Sequence, residues 1–594
     1  MLGVELEKRP AHAVERESGS PRKRILIMVL SALCVFAAWL AWNLYTAKSS
    51  LEAVRAHVVA ARSAIVNGDE SAAEAQARAA GEAATNARDA LRSTPCRIVA
   101  AVPFFGDPLD ALEGISDTVS SLTDGVMPHL VAAGRVLNLD QLRLVGGGLN
   151  VDQLSRAHQP IAEAVAAMAN VRVAAAKIPD ARFVSTVNDV RDQLRKQVAE
   201  LDEVLVNAGM ATQLAPSMLG AHGDRVYLVA FQTNAELRGT GGLLGGTALL
   251  KATAGNISID RLAQNYDLGS VSQGIELGPE FDQLYGEMEA TSLWSNSNIS
   301  PHFPYAAKIW RDMAQKNWKT NVDGVIAVDP VALSYVLAAI GEVTLPNGEK
   351  VTSQNVVHLT ESEVYDRFPT DQLARKKFLT VIASSVFNKL AAGGGRLPTL
   401  IEAAGKAANE HRLMIWSAHD DEQKVLEQTS LGHQIPETGA PYANVTVINS
   451  GPSKLDYYLR RDLAYTAGDC KDGRRDSQVS VTLTNTAPGN LPDYVDKIIG
   501  FNGPKGTNVV TVYLYATDGA ELTSITRDGD PVTEAIGEGV ERGHPVFFLV
   551  LALFPGEPVD LVFNLSEPAA KGTPTLDVQP LIENGPVKVS VPAC

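Results

Sequence analysis

The sequence has little of what the most recognisable activities require. Basic residues are outnumbered, 52 against 68 acidic ones, leaving a formal net charge of -16. That balance excludes a general nucleic-acid binder, because phosphate contacts need a basic face. No Walker loop, no Gly-x-Ser-x-Gly elbow and no Ser/His/Asp triad spacing occurs, so the common nucleotide-hydrolysing and acyl-transfer signatures are missing. There are only four cysteines. None stands in a Cys-x-x-Cys or Cys/His spacing, and no metal site is expected from them. The histidines His302, His358, His411, His419 and His433 are scattered, and each reads as a surface or core residue in preference to a catalyst. Collagen-like and disordered compositions are absent too, since 45% hydrophobic and 20% charged residues are globular values. A chain of 594 residues is too long for one hydrophobic core, so two to four domains are expected.

Long apolar runs are equally scarce, with one exception. Ile25 to Tyr45, ILIMVLSALCVFAAWLAWNLY, carries no charge, and it is long enough to cross roughly 30 Å of hydrocarbon as a helix. Arg22, Lys23 and Arg24 precede it, while Trp39, Trp42 and Tyr45 gather at its far end. Positive charges stay cytoplasmic and amphipathic rings favour the interface. A cleaved signal peptide is the competing reading. Its apolar core would be only ~7–15 residues long and would precede a small-residue cleavage site, neither of which fits. The expectation is a single-pass protein of the cell membrane, with residues 1–24 as a cytoplasmic tail, 25–45 as the transmembrane helix and the remainder extracytoplasmic.

The rest divides into three textures. From 48 to 218 apolar residues recur at helical spacing, as in Leu51, Val54, Val58, Ala61 and Ile65, or Val187, Val190, Leu194, Val198, Leu201 and Leu205. Breaks fall at Asn67-Gly68-Asp69, from Pro103 to Pro108 and around Gly146-Gly147-Gly148. An extracytoplasmic helical bundle is predicted, with no set of carboxylates or histidines projecting into its core. Between 220 and 430 strand-like and helix-like pieces alternate. DRVYLVAFQ reads as a buried strand, GGTALLKATAGNISIDRLA as two strands turning at Ala254-Gly255-Asn256, and VDGVIAVDP as another strand before the helix from Val331 to Ile340. The short strand Glu342 to Leu345 and helices from Val364 towards Leu390 and near Leu400 to Ala408 follow, which makes an α/β domain. From 442 to 594 the pieces QVSVTLTNTA, TNVVTVYLYAT, PVFFLVLALF and VDLVFNL are strand-length and separated by turns, so a β-sandwich is predicted. The fold class is therefore multidomain: a transmembrane helix and α-helical bundle, a central α/β domain and a C-terminal all-β sandwich. Cys470 and Cys594 bracket the strand-rich stretch. A disulfide between them would tie the last residue back to that domain's start, with Cys96 left as a free buried thiol.

Two clusters carry candidate chemistry. Asn234 to Gly246, NAELRGTGGLLGG, combines Arg238 with glycines that let backbone approach a ligand closely. It is no dinucleotide fingerprint, because a strand follows where that motif needs a helix. Two readings remain open: a tight connection with Arg238 paired to Glu236 or another acid, and a nest of N–H groups that holds phosphate. The second cluster, YDRFPTDQLARKKF, holds Arg367, Arg375, Lys376 and Lys377 with Asp366 and Asp371. It reads either as a solvated helix start with ion pairs or as an anion site completed by Arg238. Asp267, Asp323, Asp329 and Asp371 could bind magnesium or act as a base, although Asp329-Pro330 reads more simply as a helix N-cap and first turn.

At NAELRGTGG, SPHFPYAAKIW, VDGVIAVDPVALSYVLAAIGEV, VYDRFPTDQLARKKFL, KLDYYLRRDLAY and TNTAPGNLPDYV, roughly Gly220 to Val495, the sequence resembles the domain-of-unknown-function 4012 (DUF4012) family of actinobacterial membrane-anchored envelope proteins. More distantly, the central domain resembles the LytR-CpsA-Psr family, whose members move glycopolymers from polyprenyl-pyrophosphate carriers to the cell wall with arginines and a magnesium ion. That resemblance implies Arg238, Arg367 and Arg375, with Lys376 beside them, as pyrophosphate ligands. It implies Asp371 and Asp267 as the catalytic carboxylates and Mg2+ as the one possible cofactor. Two departures stand out. Gly239-Thr240 replaces the Asp that follows the family's first Arg, and Asn265-Tyr266-Asp267, with Arg261 nearby, replaces its Pro-Arg-Asp. A lost carboxylate weakens metal binding directly, so the fold can persist without the reaction. The favoured expectation is a non-catalytic binding or scaffolding protein of cell-envelope or surface-polysaccharide assembly. Its partners would be the lipid bilayer and a polyprenyl-linked glycan or other envelope proteins, with no nucleic acid. The alternative is a phosphotransferase or binder acting on polyprenyl-pyrophosphate-linked glycopolymers.

Overall fold

A computed structural model describes residues 21–66, 69–102, 106–137, 142–143, 148–497 and 503–594, with the backbone alone at 21–27 and 66. The polar tail 1–20, the breaks at Asn67-Gly68 and 103–105, and Gly146-Gly147 lie outside them. The described residues form two compact units, one within Met1–Asn138 and Ser155–Thr212, the other within Leu139–Leu154 and Gln213–Cys594.

The first unit is helical. Helix α1 (Pro21–Val66) runs unbroken through the apolar segment and on. From Met28 to Ile65 it is long and apolar enough to cross a membrane. Met28, Leu33, Val35, Trp42 and Tyr45 are exposed along it, as suits a lipid-facing surface. Further on, Val54 and Ala61 are buried. There α1 packs on α2 (Glu70–Leu91), whose buried face is almost wholly alanine, so the two backbones can approach closely. Helices α3 (Thr94–Ala100), α4 (Asp107–Ser121) and α5 (Met127–Val136) follow, then the long α6 (Val151–Lys177) and α7 (Ser185–Met218), of which residues 155–177 and 185–212 belong to this unit. Val126, Ala164, Met168, Val171, Val198 and Leu205 make one of the unit's cores.

The second unit begins with strands β1 (Arg225–Thr233), β2 (Leu243–Thr253) and β3 (Asn256–Gln264). The turn joining β2 to β3 uses Ala254 and Gly255, at φ 47° and 87°, the left-handed pair that a two-residue hairpin requires. Helices α8 (Asn265–Leu268), α9 (Pro279–Tyr285) and α10 (Phe303–Trp318) lead to β4 (Gly324–Val328) and α11 (Pro330–Ile340). Asp329 caps α11 by accepting from Ala332 N at 2.8 Å, with Pro330 in the first turn. After the short strands β5 (Val343–Thr344) and β6 (Lys350–Val351) come α12 (Val356–His358), a π-helical turn Leu359–Glu363, α13 (Val364–Arg367), α14 (Gln372–Ala391) and α15 (Leu397–Asn409). Strand β7 (Leu413–Ser417) and α16 (Asp420–Leu426) close this part. The sheet order is β3-β2-β1-β4-β7, with β1 and β4 parallel and the other pairs antiparallel. Strand β7 did not declare itself in the sequence, because LMIWS is a short run without clear alternation.

Among the described residues eleven further strands build a sandwich: β8 (Tyr442–Asn449), β9 (Leu459–Ala467), β10 (Arg474–Asn485), β11 (Asn508–Ala516), β12 (Glu521–Arg527), β13 (Asp530–Pro531), β14 (Gly537–Glu541), β15 (His544–Leu553), β16 (Pro558–Pro568), β17 (Thr575–Val578) and β18 (Val587–Ser590). One sheet runs β13-β12-β16-β10-β9-β18 and the other β14-β15-β11-β8-β17. Alternate residues such as Val479, Val481 and Leu483 meet Val510, Val512 and Leu551 between them, which is the period-2 pattern of a half-buried strand. A disulfide joins Cys470 to Cys594 with their Cα atoms 5.6 Å apart, and Cys96 is a buried free thiol. The sandwich shares a core with the mixed sheet, since Tyr513, Tyr515 and Val546 cluster with Tyr285, Trp310 and Leu228. Tyr285 also donates to Glu541 at 2.7 Å.

Candidate functional site

The segment NAELRGTGG joins β1 to β2, and it is buried throughout. Leu237 inserts into the sandwich core, its N–H donating to Asp456 at 2.7 Å and its carbonyl accepting from Asn449 N at 3.1 Å. Arg238 is held by Ser295 O at 3.0 Å, Asn449 O at 3.2 Å and Glu236 at 3.3 Å. A Cβ on Gly239 would collide with Ile299 O, and one on Gly242 with Thr233 O. The glycines therefore admit other backbone, and Arg238 braces the mixed sheet against the sandwich. Of the two readings open for this segment, the structure has the tight connection.

Arg367 is also committed elsewhere. It forms a fork with Glu349 at 2.8 and 2.7 Å and donates to Glu363 at 2.8 Å. Asp371 caps α14 by accepting from Ala374 N at 2.9 Å. Asp267 closes the capping box of α8, accepting from Gln264 N at 2.8 Å. Asp323 accepts from Val226 N at 2.8 Å and pairs with Arg225 at 3.5 Å, and Asp329 pairs with Arg412 at 2.9 Å. Each acid proposed for magnesium or proton transfer is thus occupied by a cap or an ion pair, a donor set that does not fit a resident magnesium ion.

Arg375 and Lys376 are placed differently. A cavity of about 650 Å³ is lined from β1, β2, β3, α11 and α14, within the range of small-molecule sites. Its wall is mainly apolar, with Phe231, Leu250, Leu333, Ile382, Val386 and Phe387 among its residues. Arg375 and Lys376 stand on it together with Tyr365, Tyr494, Lys454 and Lys497. Arg375 is 4% exposed. It donates to Phe368 O at 2.9 Å and stacks on Tyr494, its guanidinium carbon 3.9 Å from the ring centre. Lys376 donates to Asn265 at 2.9 Å and lies 3.8 Å over the Tyr266 ring. Among the described residues no carboxylate pairs with either cation, whereas the buried Lys454 pairs with Glu236. Burial of the Lys376 ammonium pulls its pKa down to about 8, against the pull of Asp267.

One residue of the cavity gave no sequence signal. Glu361, in the π-helical turn before α13, is buried and accepts from Thr233 at 2.7 Å and from Ala235 N at 2.8 Å. Burial pushes its carboxyl up to about 7, although those two donors pull the other way. A carboxyl raised in the folded state binds a proton that the unfolded chain has released, so stability falls as pH rises from about 4.5 to about 7. Glu361→Gln removes that slope. Its thermal midpoint is expected to gain on the wild type by the equivalent of about 2 kcal/mol from about pH 5.5 to about pH 7. Parallel melts at a series of pH values check this, and equal slopes would contradict it.

Fold and site of the described residues together define a class: a candidate membrane span, a helical unit, and a mixed sheet braced by a β-sandwich around an apolar cavity whose cations Arg375 and Lys376 have no carboxylate partner among those residues. Residues 222–365 match the family model described as a protein of unknown function, DUF4012. That stretch holds β1 to β4, α11, Glu361 and Tyr365 and stops short of Arg375. A search of the curated proteins finds no match. Among solved structures, a Legionella pneumophila protein described as nutrient binding aligns at 10% identity and a TM-score of 0.15, covering 22% of this chain and 45% of that one. That likeness is too slight to bear on the fold.

Proposed function

We propose that the chain is a non-catalytic, membrane-anchored binding protein of cell-envelope or surface-polysaccharide assembly, whose cavity takes the apolar tail of a lipid. Arg375 and Lys376 would hold the anionic head group. The observation that carries this reading is the buried guanidinium of Arg375 on an apolar cavity, without a carboxylate partner among the described residues. Charged side chains are rarely buried unpaired, because desolvation is costly, and a phosphate or diphosphate would complete the pairing. In this reading Arg22, Lys23 and Arg24 keep the N-terminus cytoplasmic, and the bulk lies outside, where a disulfide such as Cys470–Cys594 persists. The distant LytR-CpsA-Psr resemblance points to a polyprenyl-linked glycan as the ligand. The clamp differs from that family's: it rests on Arg375 and Lys376, with Arg238 and Arg367 bracing the fold.

Titration of the detergent-solubilised chain with a long-chain alkyl phosphate and with the matching alcohol tests this. The phosphate is expected to bind more tightly, and Arg375→Ala to weaken it by about 10- to 100-fold, the worth of a charge-assisted pair. Affinity for the phosphate should fall as pH rises through about 8, where Lys376 loses its charge. Equal affinity for the alcohol, or none for either, would remove the basis of the reading. Transfer from a polyprenyl-pyrophosphate carrier is the second reading, favoured by Glu361, which at about 7 could take a proton within the same cavity. In that case Glu361→Gln would abolish turnover and leave binding intact.

A further inference from the structure

Beside strand β17 three side chains from distant parts of the sequence converge. His411 lies between α15 and β7, His433 between α16 and β8, and Asp577 on β17. One ligand atom from each lies within 4.8 Å of the others. The two imidazoles meet Nδ1 to Nδ1 with their rings edge to face, 88° apart and 4.3 Å between centres. His411 Nε2 is 3.7 Å from Asp577 Oδ1. His433 is 5% exposed, and its Nε2 is buried without a hydrogen-bond partner among the described residues. Asp577 is oriented from outside the cluster, with Oδ2 accepting from Tyr442 at 3.4 Å and Asn444 at 3.3 Å, and Oδ1 from Val578 N at 2.9 Å.

We infer that His411, His433 and Asp577 form a binding site for a divalent transition-metal ion, zinc above all. Two imidazoles and a carboxylate are a borderline-soft donor set that zinc accepts in tetrahedral geometry. With bonds of about 2.1 Å, ligands on such a centre stand about 3.4 Å apart, a separation that small rotations of the two rings reach. Facing imidazole nitrogens gain little from one another and much from a shared cation. Hydrogen bonds from Tyr442, Asn444 and Val578 fix the carboxylate, as surrounding donors do for metal ligands. Three protein ligands leave a fourth position for water. Bound there, the ion ties two loops of the mixed-sheet part to strand β17 of the sandwich. Arg412, next to His411, pairs with Asp329 on the cavity wall, so the brace bears on the cavity as well.

The test uses the full chain in detergent, carrying a tag without histidine, stripped with a chelator and titrated with Zn2+ alone. Bound metal is measured by elemental analysis after desalting, and thermal midpoints are read in parallel. The wild type is expected to retain one zinc per chain and to melt at a higher temperature with zinc present. His411→Gln and Asp577→Asn, each eluting as the wild type does, should lose both effects. A wild type that retains no zinc, or variants that still retain one equivalent, overturns the assignment.

Discussion

Tryptophan in place of Ala383 is expected to weaken binding of a long-chain alkyl phosphate by about 1000-fold while the chain stays folded. Ala383 stands on α14, lines the cavity and shares that wall with Ile382 and Val386. The indole would fill space that the alkyl tail needs. Displacing about five methylenes, at ~0.8 kcal/mol each, removes ~4 kcal/mol of burial, which is about three decades in affinity. The helix itself tolerates the change, because tryptophan costs only about 0.5 kcal/mol against alanine at a helical position. Arg375 is left in place, so the variant separates the tail's contribution from the head group's. Calorimetric titration checks the loss, and circular dichroism checks the fold. Unchanged affinity would mean that the tail does not lie in this cavity.

The second large effect belongs to the sandwich. Arg475 on β10 and Glu567 on β16 are fully buried, with their side chains 0% exposed and 3.0 Å apart. Tyr465 donates to the same carboxylate at 2.8 Å, and Arg475 reaches Pro592 O at 3.0 Å, close to the disulfide-bonded C-terminus. Arg475→Ala leaves the buried Glu567 carboxylate without its counter-charge, with the hydroxyls of Tyr465 and Thr517 still donating to it. The expected loss is 3–5 kcal/mol, the usual range for breaking a buried pair (roughly, by measured cases). Replacing both partners by apolar residues, as in Arg475→Met with Glu567→Leu, should cost less than either single change, because no charge is left uncompensated. Thermal melts of the wild type, Arg475→Ala, the two apolar single variants and their double decide this. A single variant within about 1 kcal/mol of the wild type would show that the pair contributes little.

Much of the fold was legible because it depends on local pattern. An uncharged run of membrane length, the spacing of Val54 and Ala61, the Ala254-Gly255 turn and the alternation in QVSVTLTNTA each act within a few residues. The site was less legible, for a physical reason. Arg238, Arg367 and Arg375 look alike along the chain, and what separates them is which acids and carbonyls the fold brings near. Glu236 and Asn449 take Arg238, Glu349 and Glu363 take Arg367, and among the described residues no carboxylate takes Arg375. Glu361 has no neighbour in sequence that hints at Thr233 and Ala235. His411, His433 and Asp577 share no spacing, because the packing of β17 beside β8 brings the carboxylate to the two loops.

The content of the cavity is the most direct test. The full chain, extracted from its own membrane in mild detergent and weighed intact by mass spectrometry, should carry one phosphate-bearing, long-chain lipid per protein. Arg375→Ala and Ala383→Trp, prepared in the same way, should carry none. A wild type without lipid, or both variants with the same lipid as the wild type, would contradict a lipid-binding role for this cavity.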